Sequence, residues 1–130
     1  MGVQTAKELI VYQKAYELAM RVFEATKRFP REEQFALTSQ IRRSSRSVCM
    51  NLREAWAKRR YAAHFVSKLT DCDGENSETD TSLDFAKDCD LITSNEHLEL
   101  TNLCDEVGRM LGTMFRNPDP FLISIQRPKE

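Results

Sequence analysis

Glycine and proline are scarce in this 130-residue chain, four of each, and there are only two histidines and one tryptophan. The glycines are scattered, so neither a phosphate-binding glycine loop nor a nucleophile elbow can be assembled from them. Four cysteines, Cys49, Cys72, Cys89 and Cys104, form no Cys-x-x-Cys pair, and His64 and His97 stand far apart and beside no cysteine. A clustered metal site is therefore not expected, and the cysteines read as free thiols packed as small apolar residues. No apolar run approaches the roughly 18–20 residues of a membrane span. The opening Met1-Gly2-Val3-Gln4-Thr5-Ala6 lacks the apolar stretch of a signal peptide, and Ala6 stands where a myristoylation motif needs Ser or Thr. A cytoplasmic protein without a membrane partner is the expectation. No cofactor and no small-molecule substrate is implied.

What is present is a balanced, globular composition with 41% hydrophobic and 30% charged residues. The net charge of −1 conceals a division: residues 1–70 carry 14 basic against 6 acidic side chains, and residues 71–130 carry 5 against 14. Such a chain can neutralise itself on folding, pair head to tail with a copy, or present a basic face to nucleic acid.

Helical periodicity runs through the sequence and no period-2 pattern competes with it. A first helix, residues ~6–28, is expected to bury Leu9, Tyr12, Tyr16, Ala19 and Phe23, with Lys14, Glu17, Arg21, Glu24 and Arg28 on a wet face. Thr5 and Glu8 have the spacing of a capping box, and Pro30 ends the helix. The second helix, ~36–59, carries Leu37, Ile41, Val48, Leu52 and Ala55, with Ser44 and Ser45 filling one turn of the stripe. The third, ~62–90, reads Phe65, Leu69, Cys72, Asn76, Thr79, Leu83 and Ala86, polar in the middle of its inward face. The fourth, ~94–116, opens on the capping-box pair Thr93 and Glu96 and supplies Leu100, Leu103, Val107, Met110 and Met114. Between the second and third helices, residues 58–63 hold neither Gly nor Pro, so one longer helix remains an alternative there. Short connections make successive helices antiparallel. The expected fold is all-α, an antiparallel up-down-up-down four-helix bundle over residues 1–117 with a Pro-containing tail over 118–130. Phe121, Leu122 and Ile123 are apolar residues left over for a neighbouring subunit.

Three groups of residues invite functional readings. Asp71 to Asp80 resembles a calcium loop, but Asn76 stands where the loop needs Gly and Ser82 where it needs Glu, so a solvated acidic face is the better reading. Asn51 and Glu54, with Asn76, Glu78 and Thr81, could form a carboxylate cluster. Neither histidine follows a Glu by three residues, which argues against a di-metal centre. The same residues suit a polar network in which Arg42 or Arg43 neutralises a buried Glu78, with Arg43 the chosen partner. Finally, Arg43, Arg46, Arg53 and Arg60 fall within roughly 100° of one another around the second helix. They form a basic stripe that can serve RNA or DNA binding, or pair with acidic helices of the same or a neighbouring subunit; no aromatic interleaves it.

The segments Leu9–Ala15, Leu37–Ser44 and Val107–Leu111 resemble those of bacterial four-helix-bundle proteins encoded in intervening sequences of 23S ribosomal RNA genes. Asn51-Leu52-Arg53-Glu54-Ala55 is similar to that family's Asn-Ile-Ala-Glu-Gly, with Ala55 in place of the usual glycine. Gly74, Glu78, Thr81 and Leu83 fall where the family has Gly, Glu, Thr and Leu, within a third helix more acidic here than in relatives. The resemblance implies a left-handed antiparallel bundle, a homo-oligomer often built as a ring of five, and a function that is poorly understood across the family. A related accessory protein of diversity-generating retroelements binds nucleic acid and a reverse transcriptase through a basic surface. The sequence is thus read as a non-catalytic homo-oligomeric (pentameric) scaffold for nucleic acid or a ribonucleoprotein. The alternative is a protein-only interaction module whose basic half is used in subunit contacts.

Overall fold

A computed structural model describes residues 2–123. Four helices account for most of it: α1 (Ile10–Thr26), α2 (Leu37–Ala57), α3 (Ala62–Asp88) and α4 (Ser94–Arg116), with single 3-10 turns at Ala6–Glu8, Arg31–Glu33 and Asp119–Phe121. No strand occurs among the described residues, and no helix there is long and apolar enough to cross a membrane. Each helix packs on its sequence neighbours, and α1 also packs on α4, closing a four-membered arrangement. Cross-helix partners run in opposite numerical directions: Lys14 and Arg21 of α1 meet Glu106 and Glu99 of α4, and Arg43 and Glu54 of α2 meet Glu78 and Lys68 of α3. Antiparallel neighbours require that order, and up-down-up-down accounts for all of it.

Helix α3 buries Phe65, Leu69, Cys72, Asn76, Thr79, Leu83 and Ala86, the stripe its spacing predicts. Helix α1 departs from expectation. Its buried face is Val11, Ala15, Leu18, Ala19, Val22 and Ala25, while Tyr16 is 54% exposed and Tyr12 and Phe23 are half-buried. The aromatics occupy a neighbouring face because small residues let α1 seat closely against the bundle, and the bulky rings do not fit there. Helix α1 also starts later than expected, at Ile10. Thr5 caps nothing with its side chain; Glu8 instead accepts a bond from the Gln4 N–H, 3.1 Å. The α4 capping box does form, with Thr93 and Glu96 exchanging bonds of 3.0 Å. Helices α2 and α3 are separate elements, broken at 58–61.

The interior has two apolar halves with a polar layer between them. One half gathers Val11, Val48, Leu52, Phe65, Leu69 and Leu111; the other gathers Leu18, Val22, Ile41, Leu83, Leu100 and Leu103. Between them Ser44 Oγ and Thr79 Oγ1 share a hydrogen bond of 2.8 Å, and Asn76 Nδ2 donates to the Cys104 carbonyl, 2.8 Å. Buried polar pairs are costly when misaligned, so this layer favours one register of α2, α3 and α4. Phe121 and Leu122 pack on the first half of the core, with the Phe121 ring 6.3 Å from that of Phe65, and the Ile123 N–H bonds the Arg59 carbonyl. Phe121 and Leu122 are thus half-buried against the chain's own core, while Ile123 stays 45% exposed. The rest of the anticipated apolar tail, Ser124 and Ile125, lies outside the described residues.

Candidate nucleic-acid interface

Part of the basic half of the chain pairs with the acidic half, through Lys14, Arg21, Arg28, Arg43 and Lys68. Lys14, Arg21 and Arg28 reach across to Glu106, Glu99 and Glu96, tying α1 to α4. Lys68 of α3 holds Glu54 of α2 at 2.6 Å. Glu96 is held below the usual carboxylate range, first by the backbone N–H of Thr93 and then by Arg28.

The four arginines of the expected stripe part company. Arg43 is committed to α3, with Glu78 at 2.8 Å and Glu75 at 3.3 Å. Arg46 lies over the face of Phe23, 5.6 Å from its centroid. Arg53 is exposed on α2, and Arg60 is exposed in the α2–α3 turn, beyond the end of the helix on which the stripe was drawn. Among the described residues, Arg46, Arg53, Lys58 and Arg60 have no carboxylate partner.

The expected polar network is likewise divided. The Arg43–Glu78 pair is made, but Glu78 is exposed, its side chain 48% accessible, which corrects the expectation of a buried carboxylate. Glu78 stands next to the buried Thr79 in sequence, but its side chain meets Arg43 on the outer edge of the α2–α3 seam. Arg42 donates to Thr26 Oγ1 at 2.7 Å and covers Phe23 at 4.7 Å, so it braces α1 rather than Glu78. Asn51 bonds Ser47 within its own helix, and Thr81 bonds the Ser77 carbonyl within its own. Only Asn76 of this group belongs to the polar layer, together with Ser44 and Thr79.

Two features escape a helix-by-helix reading. The first is aromatic. The arginine stripe carries no ring of its own, but α1 brings Phe23 beneath Arg42 and Arg46, and the loop before α2 leaves Phe35 89% exposed beside Arg42, Arg46 and the 67% exposed Met50. The Phe23 contacts join residues 19 and 23 apart, beyond the reach of periodicity. The second is the bundle end formed by the α2–α3 turn. Lys58, Arg59 and Arg60 are followed by Tyr61, 58% exposed and edge-on to His64 at 5.4 Å. Arg59 stacks on Trp56, 3.6 Å from the ring, and donates to its carbonyl at 2.8 Å; burial lowers its pKa, so it has a structural role. Lys58 and Arg60 are exposed in the turn beside Tyr61, and Arg53 is exposed on α2 before it. That run is legible as a contiguous Lys-Arg-Arg-Tyr, of which the arginine stripe takes in only Arg60.

Among the described residues no group of His, Cys, Asp or Glu could hold a metal ion. Cys49, Cys72 and Cys104 are buried and Cys89 is exposed. Burial pushes the thiol of Cys49 up to about 11 and those of Cys72 and Cys104 up to about 12, so they pack as neutral groups.

An all-α bundle with its charge paired internally and a cationic, aromatic-bearing end is the class of protein these features define. The chain belongs to the 23S rRNA-intervening sequence protein family, whose family model matches residues 7–113. Among solved structures, it is similar to a protein of unknown function from the S23 ribosomal protein family of Bacteroides thetaiotaomicron VPI-5482. That likeness has 28% identity and a TM-score of 0.75, and covers 83% of this chain and 100% of the other. No curated protein is significantly similar to the chain.

Proposed function

We propose that the protein is a non-catalytic, homo-oligomeric scaffold that holds RNA at the basic end of its bundle. The observation that carries this reading is the exposed cations Lys58 and Arg60 in the turn beside the exposed Tyr61, with Arg53 exposed on α2 before them, none with a carboxylate partner among the described residues. Their chemistry suits phosphate neutralisation, and Tyr61 offers one face on which an unpaired base can stack. Self-assembly would repeat the set once per subunit and turn a small patch into an extended one; a ring of five is what the family resemblance implies. Single-stranded RNA binding should weaken by about 0.7 log units per log unit of salt for each phosphate contact. The variant Arg53→Glu/Arg60→Glu should bind RNA at least about tenfold more weakly, a loss of about 1.4 kcal/mol, at unchanged helix content and native mass. RNA affinity equal to wild type would refute the assignment of this end.

Charged pairs inside the subunit account for Lys14, Arg21, Arg28 and Arg43, and the alternative, a basic half used between subunits, finds its best support at Arg46 and its surroundings. There the highly exposed Phe35 and Met50 favour a protein partner.

A further inference from the structure

Helix α2 begins without a cap. Ala36 precedes it, no side chain bonds its first turn, and no acidic residue stands there to oppose the positive end of the helix. The first backbone bond of the helix runs from the Gln40 N–H to the Ala36 carbonyl, so the N–H groups of Leu37, Thr38 and Ser39 have no partner among the described residues. Thr38 adds an unused hydroxyl. The other threonines of the four α-helices, Thr26, Thr70, Thr79, Thr81, Thr101 and Thr113, each lie in hydrogen-bond reach of a carbonyl three or four residues back. Thr38 is 8% exposed, and its hydroxyl makes no hydrogen bond among the described residues. The carbonyls it would need belong to Gln34 and Phe35, which come before the helix begins.

Thr38 lines a hollow of about 520 Å³ together with Ser39, Arg42, Arg43 and Arg46, and among the described residues no carboxylate lines it. Arg43 is held by Glu78 and Glu75. Arg42, one turn after Thr38 on the same face of α2, spends only its Nε, on Thr26, and Arg46 has no carboxylate partner. Unpaired N–H groups at the positive end of a helix bind anions, and guanidinium forks match the oxygens of a phosphate. We propose that the first turn of α2, with the Thr38 hydroxyl, Arg42 and Arg46, binds a phosphate group, either free phosphate or one in the backbone of an RNA strand. Phe35 and Met50 supply the apolar lining of the hollow and take no part in holding the anion. The site lies about 24 Å along α2 from Arg53 and farther from Arg60, so it stands independently of the RNA and oligomer readings above.

Titration of the full chain with inorganic phosphate, followed by backbone amide NMR, tests it. The amide resonances of Leu37, Thr38 and Ser39 should move and saturate, while chloride at equal ionic strength should leave them in place. Thr38→Val keeps nearly the same shape and removes the hydroxyl, and Arg46→Gln removes a charge from the surface. Each should bind phosphate at least about tenfold more weakly at unchanged helix content. A short oligoribonucleotide then separates the two sources. Displacement of the phosphate identifies the RNA backbone, because a strand held only at the distant Arg53–Tyr61 end would leave it in place; no displacement identifies free phosphate. Phosphate shifts no larger than those with chloride, or wild-type phosphate affinity in either variant, would overturn the site while leaving the RNA reading of Arg53, Lys58 and Arg60 standing.

Discussion

Ser44 and Thr79 sit at 0% exposure between the two halves of the core, one hydroxyl donating to the other, which in turn donates to a carbonyl of its own helix. Glu78, one residue away from Thr79, stands in water with Arg43. The two pairs therefore carry different weight. Ser44→Ala strips a buried bond and should cost about 1–2 kcal/mol in chemical denaturation. Glu78→Ala breaks an exposed ion pair and should cost about 1 kcal/mol or less, well below the 3–5 kcal/mol that a buried charge would demand. The buried thiols give a second residue-level test. A thiol reagent added to native protein should modify Cys89 promptly and the other three only after denaturation. Because their folded pKa values are raised above the ordinary 9, the unfolded chain releases these protons first as pH climbs. Stability contributed by each thiol is intact below about pH 9 and then falls by up to about 1.4 kcal/mol per pH unit toward pH 11–12. Replacing Cys72 by Ala should make that alkaline decline shallower; an unchanged slope would show that other groups set it.

At the level of the helices, α3 was legible in full because its inward residues keep one spacing even where they turn polar at Asn76 and Thr79. Helix α1 was misread by one face. Tyr12, Tyr16 and Phe23 share a stripe and look like core, but Ala15, Ala19 and Ala25 with Leu18 and Val22 permit the closer approach, and packing decides. The two capping boxes have the same spacing and opposite outcomes. Thr93 precedes a helix directly and is capped, whereas Thr5 precedes a single 3-10 turn that ends at Leu9 before α1 begins. Thr93→Ala should therefore destabilise the protein by about 1 kcal/mol, while Thr5→Ala should be close to neutral. Equal effects in thermal melts would contradict this difference. The candidate site was only half legible: the arginines are visible as letters, but which of them α3 and α1 engage depends on contacts between helices. Phe23 and Phe35 enter the basic surface by that route alone.

For the whole molecule, the division of charge along the chain is in part an internal one, with α1 matched to α4 and Arg43 to α3. The exposed Arg53, Lys58 and Arg60 keep no carboxylate partner among the described residues, and they suit an anionic polymer. The scaffold reading depends on self-assembly, and the exposed Phe35 and Met50 are hard to rationalise on a lone subunit. The native mass by light scattering at micromolar concentration and moderate salt is the direct test. A homo-oligomer predicts an integer multiple of the 15.1 kDa chain mass. A single species at 15.1 kDa across the concentration range would contradict the scaffold reading.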